Sequence, residues 1–276
     1  MTFHLHLVSD STGETVSSVA RSVMVQFEGV EVEEHFWALV RTKAQIDKVI
    51  EGIQKHRGFV LYTIADPELR RYLKRKCQKI NIPSVSVLSR IVSDLSSYFG
   101  TEPTGQTGRQ YELNEEYFSR VEAINFALTH DDGQSVWDLD EADIIIVGVS
   151  RSSKSPTSMY LAYRGFRAAN IPYVPSVGLP EILDSLHEPL IVGLTLNTDV
   201  LIQIRKNRLL SLNENRVGDY TGVEEVEHEV TEAKKLFRKK GWPVIDVTRR
   251  SVEETSAKII QLYQQKRERL LDKKDS

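Results

Sequence analysis

Residues Gly148-Val149-Ser150-Arg151-Ser152-Ser153-Lys154-Ser155 stand between the apolar run "DIIIV" and the segment "PTSMYLAYRG". Their spacing follows the phosphate-binding pattern G-x-x-x-x-G-K-[S/T], except that Ser153 replaces the second glycine. A strand ending in such a turn and feeding a helix offers unpaired backbone N–H groups and a positive dipole end to an anion. Lys154 adds a mobile positive charge, and Ser155 a hydroxyl suited to Mg²⁺ or phosphate. A left-handed Ser153 would cost roughly 1–2 kcal/mol that glycine would not. Pro156 disfavours helical geometry at Ser155 and predicts a helix starting a residue late. The plain alternative is a Ser-rich capping turn. A further one is a hydrolase elbow at Gly148–Ser152, with Asp184 and His187 as partners.

Other residues carry chemistry of their own. "THDDG" puts His130 beside Asp131 and Asp132 at a helix end, which suits a base that positions a hydroxyl and carboxylates that hold Mg²⁺. Their plain reading is a solvated terminus with a glycine stop. "SDSTGET", residues 9–15, is a second strand-to-helix turn, read either as an N-cap or as a second anion site. His4 and His6 share one strand face, a metal pair without a visible third ligand, and are read first as structural. The basic cluster Arg205-Lys206-Asn207-Arg208 is read as folding over a nucleotide or as a solvated helix face. Asp246 is a weak candidate for a Walker-B-like carboxylate. The single Cys77 is expected to be an ordinary helix cysteine.

The elements that must position these residues alternate. "FHLHLVSD", "EEHFWALV", "GFVLYTIAD" and "IPSVSVLS" read as strands, with helical patterns between them. "GTEPTGQTGRQYELN" breaks the rhythm as a linker, and "EEYFSRVEAINFALTH" reads as a helix. Strands resume at "ADIIIVGVS", "IPYVPSVG", "PLIVGLTL" and "WPVIDVT", with a helix over "PTSMYLAYRGFRAAN". The expected fold class is α/β, with two domains and mostly parallel sheets, the second P-loop-kinase-like. The expected boundaries are an N-terminal domain at 1–99, a linker and connecting helix at 100–137, and a nucleotide-binding domain at 138–276.

The composition fits a packed, soluble protein: 276 residues, 40% hydrophobic and 27% charged, with a net charge of -3. Neither nucleic acid nor a membrane is expected as a partner. The N-terminus lacks a secretory pattern and the lone cysteine suits a reducing compartment, so a cytoplasmic location is expected.

Five segments in order, "LVSDSTGET", "YFSRVEAINFALTHDDG", "DIIIVGVSRSSKSPTSMYLAYRG", "NIPYVPSVGLP" and "LTLNTDVLIQIRKNRL", resemble the regulatory proteins of pyruvate, phosphate dikinase and phosphoenolpyruvate synthase. The resemblance runs from the first strand to about Arg250. It implies an ADP-dependent serine/threonine kinase that inactivates its target by phosphorylating an active-site threonine. It also implies the reversal, in which inorganic phosphate removes the phosphoryl group and pyrophosphate leaves. The family's ADP loop falls on Gly148–Ser155 and shares the missing glycine. Under this resemblance Lys154 holds ADP, Ser155 meets Mg²⁺, and Asp131 or Asp132 accepts the threonine proton. Arg151, Lys154 and the 205–208 cluster would offset the two anions of the reverse reaction. Pyruvate, phosphate dikinase is the preferred target, and a homodimer the expected assembly. Two other readings stay open: a small-molecule P-loop kinase and a non-catalytic nucleotide sensor.

Overall fold

The structure, a computed structural model, describes residues 2–107, 115–211 and 220–274. The chain divides into two compact units, Met1–Glu112 and Leu113–Ser276.

In the first unit, β1 (Phe3–Ser9), α1 (Glu14–Met24), β2 (Val32–Trp37), α2 (Lys43–Lys55), β3 (Phe59–Thr63), α3 (Pro67–Lys79), β4 (Ser84–Ser86) and α4 (Ser89–Phe99) follow in order. The strands form one sheet, β2-β1-β3-β4, and every pair is parallel. Alternation along β1 divides its apolar residues between the two faces. Leu5 and Leu7 pack with Val16 and Ala20 of α1, while Val8 joins Ile46, Val49 and Ile53 of α2. Thr42 caps α2 by accepting from the Gln45 N–H, and Asp66 caps α3 ahead of Pro67.

The second unit contains α5 (Glu115–Thr129), β5 (Ile144–Gly148), α6 (Lys154–Tyr163), β6 (Ala168–Pro172), β7 (Leu190–Thr195), α7 (Thr198–Ser211), α8 (Val223–Lys239), β8 (Val244–Asp246) and α9 (Val252–Lys274). Its sheet, β6-β5-β7-β8, is also wholly parallel. All five residues of β5 are buried, as expected for a central strand covered on both faces. Ala123 and Ala127 of α5 pack on Ala162 of α6, so the helix expected in the connection belongs to this unit. Residues 108–114 of the expected linker lie outside the described residues.

The α/β expectation with parallel sheets holds. In each sheet the first strand sits between the second and third, the order of flavodoxin-like sheets, whose ligands meet the carboxyl ends at that switch point. The segment expected to be P-loop-like is the strand–turn–helix of β5 and α6.

Three local expectations change. The helix expected to reach Asn170 stops at Tyr163, where Gly165 (φ 89°) turns the chain, and Ala168–Pro172 becomes β6. Helix α4 was not anticipated. Its apolar residues Ile91, Leu95 and Phe99 recur at helical spacing, but none of its residues is buried. Finally, α6 starts at Lys154 despite Pro156. That proline falls in the first helical turn, where its missing N–H has no intrahelical partner to lose.

Candidate functional site

Turn 148–155 leaves β5 at the switch point of the second sheet. Gly148 is fixed there by space: a Cβ would lie 2.5 Å from Ser152 Oγ and 3.0 Å from the Leu194 carbonyl. Ser152 is buried and donates to the Val149 carbonyl at 2.9 Å. Arg151 (φ 70°) and Ser153 (φ 63°) are both left-handed. Such alternation turns successive backbone N–H groups inward as an anion-binding nest. Ser153 therefore does carry the conformation that glycine would adopt more cheaply, at a cost of roughly 1–2 kcal/mol. Strain kept at a ligand-binding turn is common where function needs the shape.

Lys154 begins α6 with its side chain only 4% exposed. Its ammonium donates to the Val149 carbonyl at 3.3 Å and stands 3.9 Å from Asp132 Oδ1. Burial is the largest influence and holds this ammonium below the usual lysine range, against the opposing pull of Asp132, Asp131 and Glu229. A buried cation without a close carboxylate is short of negative charge, which a phosphate would supply. Ser155 follows it, partly buried, at the second helical position.

The acidic pair arrives from the other side of β5. Asp132 is left-handed (φ 50°), and Asn170 of β6 holds both acids. Asn170 Oδ1 accepts from the Asp132 N–H at 3.1 Å, while its Nδ2 donates to Asp131 Oδ1 at 2.6 Å and Ser158 Oγ at 3.1 Å. Thus Asp131, Asp132 and Lys154 meet at one place. His130 is different. Its ring is buried, stacked on Phe126, with Nδ1 at 2.7 Å from the Phe126 carbonyl and Nε2 at 2.7 Å from Asp138 Oδ1. Both nitrogens are engaged, and its carbonyl accepts from the Asn170 N–H at 3.1 Å. This placement positions the segment that carries the acids.

The basic cluster divides by burial. Lys206 and Arg208 are exposed, whereas Arg205 is 2% exposed. Its guanidinium pairs with Glu229 at 2.8 Å and donates to the carbonyls of Tyr220 (3.2 Å) and Ser150 (3.1 Å). It also lies 4.7 Å over the Tyr220 ring. Arg205 is therefore a staple on the turn. Arg151 is exposed and reaches the Tyr220 hydroxyl at 3.4 Å. Burial pushes the Tyr220 phenol up, but hydrogen bonds with Ser150 and Arg151 and the nearby guanidiniums bring it below its ordinary value.

The remaining candidates separate from this site. Asp184 pairs with Lys240, and among the described residues no contact joins it or His187 to Ser150. Asp246 accepts from the N–H and hydroxyl of Thr248, which with Lys234 and Arg250 hold its carboxyl low against partial desolvation. Cys77 is buried, and burial pushes its thiol up to about 11, as an inert helix cysteine requires.

The "SDSTGET" turn occupies the matching place in the first sheet and opens on a cleft of about 330 Å³. Ser9, Asp10, Thr12, Gly13, Arg70 and Thr107 are among its lining residues. Asp10 ties the cleft together, accepting from the Ala65 N–H at 2.6 Å and the Thr107 hydroxyl at 2.8 Å. The cap position of α1 is left-handed Gly13, which has no side chain to cap with. Hydroxyls, Arg70 and the amides of α1 together suit an anionic ligand.

Asn170, Tyr220 and Glu229 escaped the sequence reading. Asn170 looked like the end of a helix, and the other two belong to the site only through the packing of α7 and α8. Among the described residues no helix is long and apolar enough to cross a membrane.

Comparison with known proteins shows which family the chain belongs to. A protein from Paramagnetospirillum magneticum, described as a pyruvate, phosphate dikinase regulatory protein, is 52% identical over 262 residues, covering 95% of this chain and 84% of the relative. One from Maricaulis maris with the same description is 49% identical over 265 residues, covering 96% and 95%. Another from Caulobacter vibrioides is 50% identical over 260 residues, covering 94% and 82%. The kinase/pyrophosphorylase family model matches residues 5–260, which takes in both switch-point turns. With that extent of match and that level of identity, the chain belongs to the kinase/pyrophosphorylase family.

Proposed function

We propose that the chain uses ADP to phosphorylate an active-site threonine of pyruvate, phosphate dikinase, and reverses that change by phosphorolysis. The dikinase, and not phosphoenolpyruvate synthase, is the target that the relatives' descriptions favour. The observation that carries the reading is the meeting of the desolvated Lys154 with the Asp131–Asp132 pair beside a nest of backbone amides.

In the forward direction the turn amides and Lys154 would bind the diphosphate of ADP. The threonine oxygen attacks the β-phosphorus, the bond to the α-phosphate oxygen breaks, and AMP leaves. Asp132, more exposed than Asp131, takes the hydroxyl proton. In reverse, an oxygen of inorganic phosphate attacks the phosphothreonine phosphorus and pyrophosphate forms. The threonine oxygen leaves and takes up the proton that the attacking phosphate gives up, relayed through the Asp132 carboxylate. Lys154 and Arg151 offset the charge of the two anions.

The oxygen donors of Ser155 and Asp132 fit Mg²⁺, which prefers hard ligands and shares them with phosphates. When bound, Mg²⁺ would neutralise phosphate charge. Asn170 and His130 act before chemistry, by holding the acids in place.

The reading is tested with ADP labelled at the β-phosphate, the purified dikinase and Mg²⁺. Wild type should transfer label to the dikinase, and Lys154→Ala should lose both directions of the reaction. Near wild-type transfer by Lys154→Ala would remove the turn from the active site.

A further inference from the structure

The first unit carries a histidine cluster that the phosphate chemistry does not use. The parallel register of β1 and β2 sets His4 beside Glu33 and His6 beside His35. Alternation puts all four on one face of the sheet, the face that also carries Val8. Helix α2 packs on that face through Ile46, Val49 and Ile53, and its C-cap residue is His56. Three elements thus deliver histidines to one place.

The ring nitrogens converge. His35 Nε2 is 3.1 Å from His4 Nδ1, and one ligand nitrogen each of His4, His35 and His56 lies within 4.8 Å of the others. Glu33 adds a carboxylate, 3.5 Å from His4 Nδ1 and 3.9 Å from His35 Nε2. Ligands of a tetrahedral zinc ion with bonds of about 2.0–2.1 Å stand roughly 3.3 Å apart. The separations bracket that value, and His56, exposed at the end of its helix, is the ring with room to move inward.

His6 supplies the support that such sites need. The Trp37 indole N–H donates to His6 Nδ1 at 3.2 Å, so Nε2 carries the proton and donates to the His56 carbonyl at 2.7 Å. The His6 ring also stacks on His35 at 4.6 Å. One neutral histidine therefore fixes the backbone of one ligand and the plane of another.

We propose that His4, His35 and His56, with Glu33 as fourth ligand, bind a tetrahedral first-row transition metal, zinc by preference. Imidazole and carboxylate in this number suit zinc, while Mg²⁺ takes octahedral oxygen donors, so the site is chemically separate from the phosphate site. It lies at the amino ends of β1 and β2, whereas the cleft lies past the carboxyl end of β1. The ion would tie both strands to the end of α2.

The test is cobalt titration of the full, chelator-stripped chain in excess Mg²⁺. The expected result is one Co²⁺ per chain with the intense visible bands of a tetrahedral site, lost on adding Zn²⁺. His35→Ala should abolish those bands, and Glu33→Gln should weaken binding roughly 10–100-fold. His56→Ala changes an exposed helix cap, so it tests the site even if His35→Ala fails to fold. Zn²⁺ should also raise the Tm of wild type but not of His56→Ala. Weak or substoichiometric binding, octahedral bands, or undiminished binding by folded His56→Ala would overturn the assignment.

Discussion

The ammonium of Lys154 stops 3.9 Å from the Asp132 carboxylate, with the lysine side chain 4% exposed. This is too long for a closed ion pair, and the ammonium also donates to the Val149 carbonyl at 3.3 Å. A buried charge kept in this state costs stability, and its compensation is expected to come from the ligand. Lys154→Met should therefore leave Tm unchanged or raised while reducing turnover by about 100-fold or more. A thermal melt and the label-transfer assay on the same preparation check both halves.

The same burial sets a pH dependence. Lys154 titrates below the usual lysine range, and a phosphate beside it favours the charged form. ADP binding should then take up a proton at alkaline pH, and affinity should fall as pH rises through the lowered value. Without ADP, the folded chain binds fewer protons here than the unfolded chain, so the destabilisation from Lys154 eases as pH rises through that window. Calorimetry in two buffers of different ionisation enthalpy measures the uptake. Lys154→Arg, whose guanidinium keeps its proton, should bind ADP without it.

Asn170 makes three side-chain hydrogen bonds that fix Asp131, Asp132 and Ser158. Asn170→Ala should cost about 1–3 kcal/mol of stability by leaving buried groups unpaired. It should lower turnover more than ADP affinity, because the turn itself is untouched. Separate measurement of ADP affinity and transfer rate distinguishes this from a general loss of fold.

Gly148→Ala places a methyl group 2.5 Å from Ser152 Oγ and 3.0 Å from a backbone carbonyl. Ser152 is already buried and bonded, so the turn must shift. ADP binding should weaken at least tenfold, by about 1.4 kcal/mol or more, with the rest of the unit folded. Equilibrium binding of ADP and a far-UV spectrum provide the check.

Much of this arrangement was legible in the chain. Four buried apolar residues ending in glycine, at Ile144–Gly148, mark a central strand in any context, and the turn after it carries its own spacing. What was not legible depends on neighbours. Ala168, Ala169 and Asn170 have helical or neutral propensity, and only their pairing with Ile144, Ile145 and Ile146 makes them a strand. That pairing is what brings Asn170 to the acids. The sequence left Arg205 either covering a nucleotide or on a solvated face, and the packing of α7 instead turns it inward to Glu229. His4 and His6 read first as structural, because alternation along β1 shows a pair without a third ligand; only the register with β2 sets Glu33 and His35 beside them.

The central claim is a reversible change on one threonine of the dikinase, made through the turn at Gly148–Ser155. The direct measurement is mass spectrometry of the dikinase after incubation with this protein, ADP and Mg²⁺, then after transfer to inorganic phosphate without ADP. The account predicts one phosphothreonine that appears with loss of dikinase activity, then disappears with one pyrophosphate released per site. An unmodified dikinase despite tight ADP binding, or release of inorganic phosphate instead of pyrophosphate, would contradict it.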